Sequence, residues 1–176
     1  MTRTAHASPI PFDSCDRPEA SIAALFLSSS LASASTAHLP TSLIQVRWSE
    51  VDAFGHVNNL AYLGWCEETR NAYIESLGVP SFTRDAPGPV IKELGFTYDR
   101  SLEHGEKILV TGRVAWIRNT SFRMEFAVWN GARVGHGHAI CIWMLNATGE
   151  KVTVSDELRR LIVERDGAEL LSSQAQ

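Results

Sequence analysis

The order of the predicted secondary-structure elements is the feature of this sequence that most constrains its fold. A strand pattern at about residues 43–48 is followed by one long helical pattern at about 59–77. Four consecutive strand patterns come next, and a short helix ends the series. The four strands cover about residues 90–98, 107–118, 121–129 and 132–145, and the helix about 155–165. Because consecutive strands pair with one another, this order predicts an α+β domain, in which a long helix is wrapped by an antiparallel sheet of about five strands.

Local signals mark the ends of these elements. Asn58 can cap the long helix, and Gly78 can end it. Asn130-Gly131 is typical of a two-residue hairpin turn between the last two long strands. One face of the final long strand carries four small residues in succession, which predicts that the helix approaches the sheet closely there. These small residues are Gly135, Gly137, Ala139 and Cys141.

The chain of 176 residues is long enough for one domain, which we expect at residues 41–168. Residues 1–40 are rich in Ser, Ala and Pro and predict a disordered or dispensable extension. A targeting segment is the alternative, although Asp13, Asp16 and Glu19 make the stretch more acidic than such segments are. Residues 169–176 are expected to form a disordered tail.

Charge and cysteine content restrict the partners and the compartment. Sixteen basic and twenty acidic residues give a net charge of −4, which argues against a nucleic-acid-binding surface. No apolar run approaches the roughly 20 residues that a membrane-spanning helix needs. The three cysteines are far apart in sequence and suggest neither a disulfide framework nor a metal site, so we expect a reducing, cytoplasmic location.

The residues with most chemical potential lie just before the long helix. Asp52 precedes the helix N-terminus, where unpaired backbone N–H groups carry a partial positive charge. Such N–H groups can hold a carbonyl oxygen as it becomes an oxyanion, while a carboxylate attacks the carbonyl carbon or activates water. The pattern is therefore compatible with acyl transfer to water. The alternative is that Asp52 only stabilises the turn before the helix.

The stretch from Asp52 to Asn59 reads D-A-F-G-H-V-N-N, and Tyr62, Trp65 and Glu67 follow it. It resembles the signature of the 4-hydroxybenzoyl-CoA thioesterase-like branch of the hotdog superfamily, and its H-V-N-N core is similar to that of plant acyl-carrier-protein thioesterases. The similarity covers about residues 43–165. The resemblance implies a single hotdog domain with acyl-CoA thioesterase activity and a place in fatty acid metabolism.

The same resemblance implies roles for particular residues. Asp52 would be the catalytic carboxylate, acting as nucleophile or general base, and the backbone N–H near Asn59 would polarise the thioester carbonyl. Tyr62 would lie in the core or in the wall of the pocket. Arg118 matches a basic position that meets coenzyme A phosphates in the hydroxybenzoyl enzymes. The resemblance also implies a homodimer or homotetramer with sites between subunits, and no metal or cofactor.

For two further residues, the sequence is compatible with either a chemical or a structural role. His56 could orient the acyl carbonyl or a water, or its ring could bond a backbone carbonyl in the turn. Glu67 is a second candidate for the catalytic carboxylate, because other hotdog thioesterases use a helix Glu. Its spacing from Arg70 instead favours an ion pair on the helix. His136 and His138 share a strand face without a third ligand and are interpreted as structural.

Three alternatives to acyl-CoA hydrolysis follow from the sequence. The thioester carrier could be an acyl carrier protein rather than coenzyme A. The domain could bind acyl-CoA without hydrolysing it, although no basic helix-turn-helix segment precedes residue 43. It could also be an enoyl-CoA hydratase. Hotdog hydratases carry Asn-Pro before the histidine, whereas this chain has Phe54-Gly55 before His56.

Overall fold

The computed structural model describes residues 41–79 and 83–172. The predicted extension at residues 1–40 and the last four residues of the predicted tail lie outside the described residues. Within them, strand β1 and a 3-10 turn precede helix α1, four long strands follow, and helix α2 and a short strand end the domain. Their bounds are β1 Thr41–Gln45, the 3-10 turn Trp48–Glu50, α1 Asn59–Ser76, β2 Pro87–Tyr98, β3 Lys107–Ile117, β4 Ser121–Asn130, β5 Ala132–Leu145, α2 Asp156–Asp166 and β6 Glu169–Leu170.

The strands form one sheet with the order β1-β3-β4-β5-β2. All neighbours on this path are antiparallel, and β6 pairs in parallel with the end of β3. The fold is therefore α+β, with a long helix against a curled antiparallel sheet, and the predicted single hotdog domain is confirmed. No helix in the described ranges is long and apolar enough to cross a membrane.

The buried side chains form two clusters between α1 and the sheet. The first surrounds the C-terminal half of α1, where Tyr73 and Ile74 meet Phe122 and Met124 of β4. The second surrounds the N-terminal half, where Tyr62 and Trp65 pack with Leu102 and other apolar residues. In β3 and in most of β4, buried residues alternate with less buried ones, as expected when one face of the strand packs on the core.

Three boundaries differ from the sequence prediction. Strand β1 ends at Gln45 rather than continuing to Trp48, whose side chain is 80% exposed in the 3-10 turn. Strand β2 begins at Pro87, before the predicted residue 90, because an edge strand tolerates proline. The predicted tail is not wholly irregular, since Glu169–Leu170 pair with β3.

The glycines of β5 do not serve the purpose that the sequence suggested. A Cβ on Gly135 would lie 2.7 Å from a ring carbon of Phe96, and one on Gly137 would lie 2.5 Å from the carbonyl oxygen of Gly95. These glycines therefore make room for strand β2, not for helix α1. The close approach of α1 depends on Gly112 in β3, where a Cβ would lie 3.1 Å from the Thr69 methyl group.

Asp166, at the end of α2, links three elements. Its Oδ2 atom accepts hydrogen bonds from the Tyr73 hydroxyl and the Val114 backbone N–H, both at 2.6 Å. Val114 lies between the part of β3 that pairs with β1 and the part that pairs with β6. The Asp166 carboxylate therefore accepts a backbone N–H that neither neighbouring strand reaches. Burial raises the pKa of Asp166, and the two hydrogen bonds oppose that rise.

We expect Asp166→Ala to lower the free energy of unfolding by about 2 kcal/mol, because it leaves two buried donors without an acceptor. Urea denaturation followed by fluorescence would measure the change. Glu164→Ala is the control, since Glu164 is exposed and pairs only with Arg160 on the surface of the same helix. Equal stability of the two variants would contradict a linking role for Asp166.

Candidate active site

The loop from Glu50 to Asn58 is closed by its own backbone. Val51 and Val57 form a bridge, the Asp52 N–H donates to the His56 carbonyl at 2.8 Å, and the Asn58 N–H donates to the Glu50 carbonyl at 2.8 Å. Gly55 adopts φ +83°, a conformation that side chains disfavour, and this permits the tight turn. The sequence D-A-F-G therefore folds back directly onto the start of helix α1.

The Asp52 carboxylate is oriented by this turn. Its Oδ1 atom accepts hydrogen bonds from the backbone N–H groups of Phe54 at 2.8 Å and His56 at 3.3 Å. Its Oδ2 atom has no hydrogen-bond partner within the described residues. One oxygen thus fixes the side chain, and the other is available to a substrate or a water.

The N-terminus of α1 leaves one backbone donor open. Asn58 caps the helix by accepting from the Leu60 N–H with its side chain, at 2.9 Å, and from the Ala61 N–H with its carbonyl, at 3.0 Å. The Asn59 N–H has no acceptor in the part of the chain that the structure describes. It therefore remains free to donate to a ligand oxygen at the positive end of the helix.

A groove lies along helix α1, and Leu60, the residue after this donor, is the first helix residue in its wall. It has a volume of about 290 Å³, near the lower limit of about 300 Å³ that is typical of ligand pockets. Most of its wall is apolar, and Glu67 and Arg70 are its charged residues. The lining comprises Leu60, Leu63, Gly64, Cys66, Glu67 and Arg70 of α1, Ile91 and Leu94 of β2, Phe126 of β4 and Ala139 of β5.

Glu67 and Arg70 form an ion pair in the groove wall. The Arg70 Nη2 atom donates to the Glu67 Oε1 atom at 3.1 Å. The Arg70 side chain is 7% exposed, whereas that of Glu67 is 60% exposed. The predicted pairing of these residues is therefore present, and it occupies a Glu67 oxygen.

Tyr62 lies apart from the groove. Its ring is buried in an aromatic cluster, with ring centroids 5.0 Å from Trp65, 5.4 Å from Phe96 and 5.1 Å from Tyr98. Burial raises the pKa of Tyr62 to about 12, so its hydroxyl stays protonated at neutral pH. The structure thus places Tyr62 in the core, as one of the two expected alternatives.

His56 contributes its backbone to the turn. Its N–H and carbonyl both bond to Asp52, while its ring makes no hydrogen bond to any residue that the structure describes. The imidazole is exposed beside the loop, so the expected structural bond from the ring is not formed.

Arg118 lies at the other end of the sheet. It follows strand β3, and its guanidinium stacks over the Trp116 ring at 5.1 Å. The Asp52 loop meets the opposite end of β3, where the Val57 N–H donates to the Leu102 carbonyl. Ten strand residues separate these ends, which corresponds to about 30 Å of strand. Within one chain, therefore, Arg118 and Asp52 do not come together.

A second cavity, of about 680 Å³, lies between α2 and the residues around β6. It is larger than the groove but remote from the Asp52 loop. Arg159 in its wall donates to the Val154 and Asn119 carbonyls, and Arg160 pairs with Glu164. Because these cations are bound within the protein, we assign the site to the smaller groove.

Two histidines on the outer face pair with acids from strand β2 and its end. His138 Nε2 lies 3.2 Å from Glu93 Oε1, and His136 Nδ1 lies 3.6 Å from Asp99 Oδ2. This agrees with the structural interpretation of both histidines. Among the residues described, no group of three or more His, Cys, Asp or Glu side chains could hold a metal ion.

Comparison with known proteins identifies the family. The model of the "thioesterase-like superfamily" matches residues 46–162, and these include the Asp52 loop, helix α1 and all of the groove. The chain belongs to the thioesterase-like superfamily. The family predicted from the D-A-F-G-H-V-N-N signature is therefore confirmed.

Solved structures of this superfamily have the same fold. A thioesterase superfamily protein from Jannaschia sp. CCS1 is 34% identical, with a TM-score of 0.69 over 74% of this chain and 85% of that one. A thioesterase from Thermus thermophilus, solved in complex with coenzyme A and Zn, is 25% identical with a TM-score of 0.65. That match covers 75% of this chain and 98% of the Thermus protein.

A curated relative is the chloroplastic acyl-acyl carrier protein thioesterase ATL3 of Arabidopsis thaliana. It is 27% identical over 108 residues, which are 58% of this chain and 57% of the plant protein. The chain thus matches little more than half the length of this relative.

The groove residues other than Glu67 were not identified as site residues from the sequence. One signal was available, because Gly64 interrupts an 18-residue helix in which glycine is unfavourable. A Cβ at Gly64 would meet nothing within 4 Å, so no packing requirement explains this glycine. Its position in the groove wall suggests that it leaves space for a ligand.

We expect Gly64→Ala to raise the free energy of unfolding by about 1 kcal/mol, because alanine is the better helix former and finds open space here. Chemical denaturation would measure the change. The reciprocal control is Ala72→Gly, at an exposed site of the same helix, which should lower stability by a similar amount. A destabilised Gly64→Ala protein would show that Gly64 has a structural role.

Proposed function

We propose that this protein hydrolyses acyl thioesters of coenzyme A or of an acyl carrier protein, with Asp52 as the catalytic carboxylate. The observation that carries the proposal is that a turn orients the Asp52 carboxylate just before helix α1, whose first residue Asn59 has an open N–H and whose second residue Leu60 lines an apolar groove. Membership of the thioesterase-like superfamily supports it. The Thermus thioesterase was solved with coenzyme A, and the Arabidopsis protein is named as an acyl-acyl carrier protein thioesterase, so each supports one of the two carriers.

The geometry suggests how the residues would act. The acyl chain would lie in the groove, and the thioester carbonyl oxygen would accept from the Asn59 N–H, which stabilises the negative charge that develops there. As general base, Asp52 Oδ2 would take a proton from water while the water oxygen bonds to the carbonyl carbon. Cleavage of the C–S bond then releases the thiolate, which takes up that proton from Asp52. As nucleophile, Asp52 would attack the carbonyl carbon itself and expel the thiolate, and water would then hydrolyse the resulting acyl-aspartyl anhydride to the free acid and the Asp52 carboxylate.

Asp52 is favoured over Glu67 because of what each carboxylate already binds. Glu67 forms an ion pair with Arg70, so removal of Glu67 would also leave a buried guanidinium unpaired. Asp52 is held only by backbone N–H groups, and these orient it without neutralising it by a cation. It also lies nearer to the helix N-terminus, where an oxyanion would be stabilised.

We expect Asp52→Asn to fold normally and to lose at least about 10²-fold in kcat, since the amide can neither attack nor accept a proton. Thiol release from a panel of acyl-CoA and acyl-carrier-protein substrates would measure this and identify the carrier. Glu164→Gln, on the surface of α2, is the matched control. If Asp52→Asn retains turnover while Glu67→Gln abolishes it, the catalytic carboxylate is Glu67.

The other predicted activities have distinct outcomes in the same experiment. Binding of acyl-CoA without thiol release would indicate a non-catalytic acyl-CoA-binding protein. Addition of water to a 2-enoyl-CoA would indicate a hydratase.

Cys66 and Cys141 are free and buried, which supports the expectation of a reducing, cytoplasmic location.

We also propose that the protein is a homodimer or homotetramer through the edge of strand β2. This strand has 12 residues and no neighbour on its outer side within the described sheet. It leaves Val90, Ile91 and Leu94 between 38% and 46% exposed, and such edges favour pairing with another chain. Light scattering should give a multiple of the 19.4 kDa chain mass. A monomer at micromolar concentration would contradict the proposal.

A further inference from the structure

The Arg70 guanidinium is the least satisfied polar group in the wall of the groove. Its side chain is more than nine-tenths buried, and its one hydrogen bond runs from Nη2 to Glu67 at 3.1 Å. The buried Nε atom has no hydrogen-bond partner within the described residues. Because buried donors of charged groups are almost always paired in native proteins, the missing acceptor needs an explanation.

Among the described residues, no acceptor is found for the Arg70 Nε atom. Cys66 and Cys141 are near enough for Arg70 to affect their titration, and burial keeps both thiols protonated by raising their pKa to about 12 and about 11. A neutral thiol is a weak acceptor. Phe126 and Ala139, which also line the groove, have apolar side chains. Because Arg70 lines the groove, a ligand there is the available source of a further acceptor for its guanidinium.

Helix geometry gives the position of this donor relative to the thioester. Leu60, Gly64 and Glu67 form one stripe along the groove, and Asn59 begins the helix. Eight residues separate Asn59 from Glu67, which is about 12 Å along the helix axis. Arginine side chains in helices lean toward the N-terminus, in agreement with the bond from Arg70 to Glu67. The guanidinium therefore lies about 12 Å from the proposed carbonyl site.

We infer that the groove takes an acyl group that carries an oxygen near its distal end, and that the Arg70 guanidinium donates a hydrogen bond to that oxygen. The inference rests on the proposed function, which places the thioester carbonyl at the Asn59 N–H. A distal hydroxyl is the simplest such group, because Glu67 already balances the charge of Arg70. An unsubstituted alkyl chain would leave the buried donor unpaired and would be the poorer ligand.

The experiment compares matched substrates with and without the oxygen. Wild-type kcat/KM is measured for octanoyl-, decanoyl- and dodecanoyl-CoA and for their ω-hydroxy derivatives. At one of these lengths, we expect the hydroxylated substrate to be preferred by roughly 10- to 100-fold, the effect of one hydrogen bond to a charged group. In Arg70→Met, which keeps an apolar stem without the donor, this ratio should fall to about one.

Arg160→Met is the matched control, because it removes an exposed arginine from α2 and should preserve the wild-type ratio. Arg70→Lys, which keeps a donor, should restore part of the preference for the hydroxylated substrate. This variant distinguishes loss of the donor from a folding defect in Arg70→Met. Equal kcat/KM for both members of every wild-type pair would overturn the inference and leave the proposed function intact.

If the protein hydrolyses no thioester, a binding measurement tests the role of Arg70. Alkyl-CoA thioethers with and without an ω-hydroxyl group cannot be cleaved, and calorimetry measures their Kd directly. Tighter binding of the hydroxylated thioether by wild type, but not by Arg70→Met, would support the role of Arg70 even if the proposed hydrolysis fails. Equal or absent binding of the two thioethers would overturn it.

Discussion

The attachment of helix α1 to the sheet determines the geometry of the candidate site. At its N-terminal end, the Glu50 carboxylate accepts from the Trp65 indole N–H at 3.0 Å and from the Arg47 backbone N–H at 2.7 Å. The Glu50 carbonyl binds Asn58, so one residue joins the helix, its cap and the start of the Asp52 loop. Further along the helix, Thr69 lies against Gly112 of β3, and the missing side chain of Gly112 permits close packing of α1 on this strand. Because the helix is fixed in this way, the open Asn59 N–H and the groove keep a constant relation to each other.

Much of the fold could be predicted from the sequence, because its signals are local. The alternation in β4, the Asn130-Gly131 turn and the caps at Asn58 and Ser155 depend on residues within a few positions of one another. The end of β1 and the presence of β6 could not be predicted in the same way. Both depend on which part of β3 is available for pairing, and that is determined by residues more than 50 positions away. Gly135 and Gly137 were misinterpreted for the same reason, since the register with β2 decides what faces them.

The candidate site also has a part that local sequence predicts and a part that depends on distant residues. Asp52 lies in the closed loop and Asn59 begins the helix that follows it, so a short stretch of sequence was enough to predict both as site residues. The groove requires strand β2 to lie beside α1 with Ile91 and Leu94 facing it, and a bulge between Ile91 and Glu93 sets that register. No local pattern encodes this arrangement. The separation of Arg118 from Asp52 also became evident only when the direction of β3 was known.

The Asp52 turn also keeps the Asp52 carboxylate away from the backbone donors at the N-terminus of α1. The partial positive charge at the start of α1 attracts the Asp52 carboxylate as well as an oxyanion of the substrate. If Asp52 capped the helix itself, its side chain would occupy the donors that the oxyanion needs. Instead Asn58, a neutral residue, caps the Leu60 N–H, and Asp52 binds the N–H groups of Phe54 and His56. The Asp52 carboxylate thus leaves the Asn59 N–H without an acceptor among the described residues, which the proposed function requires.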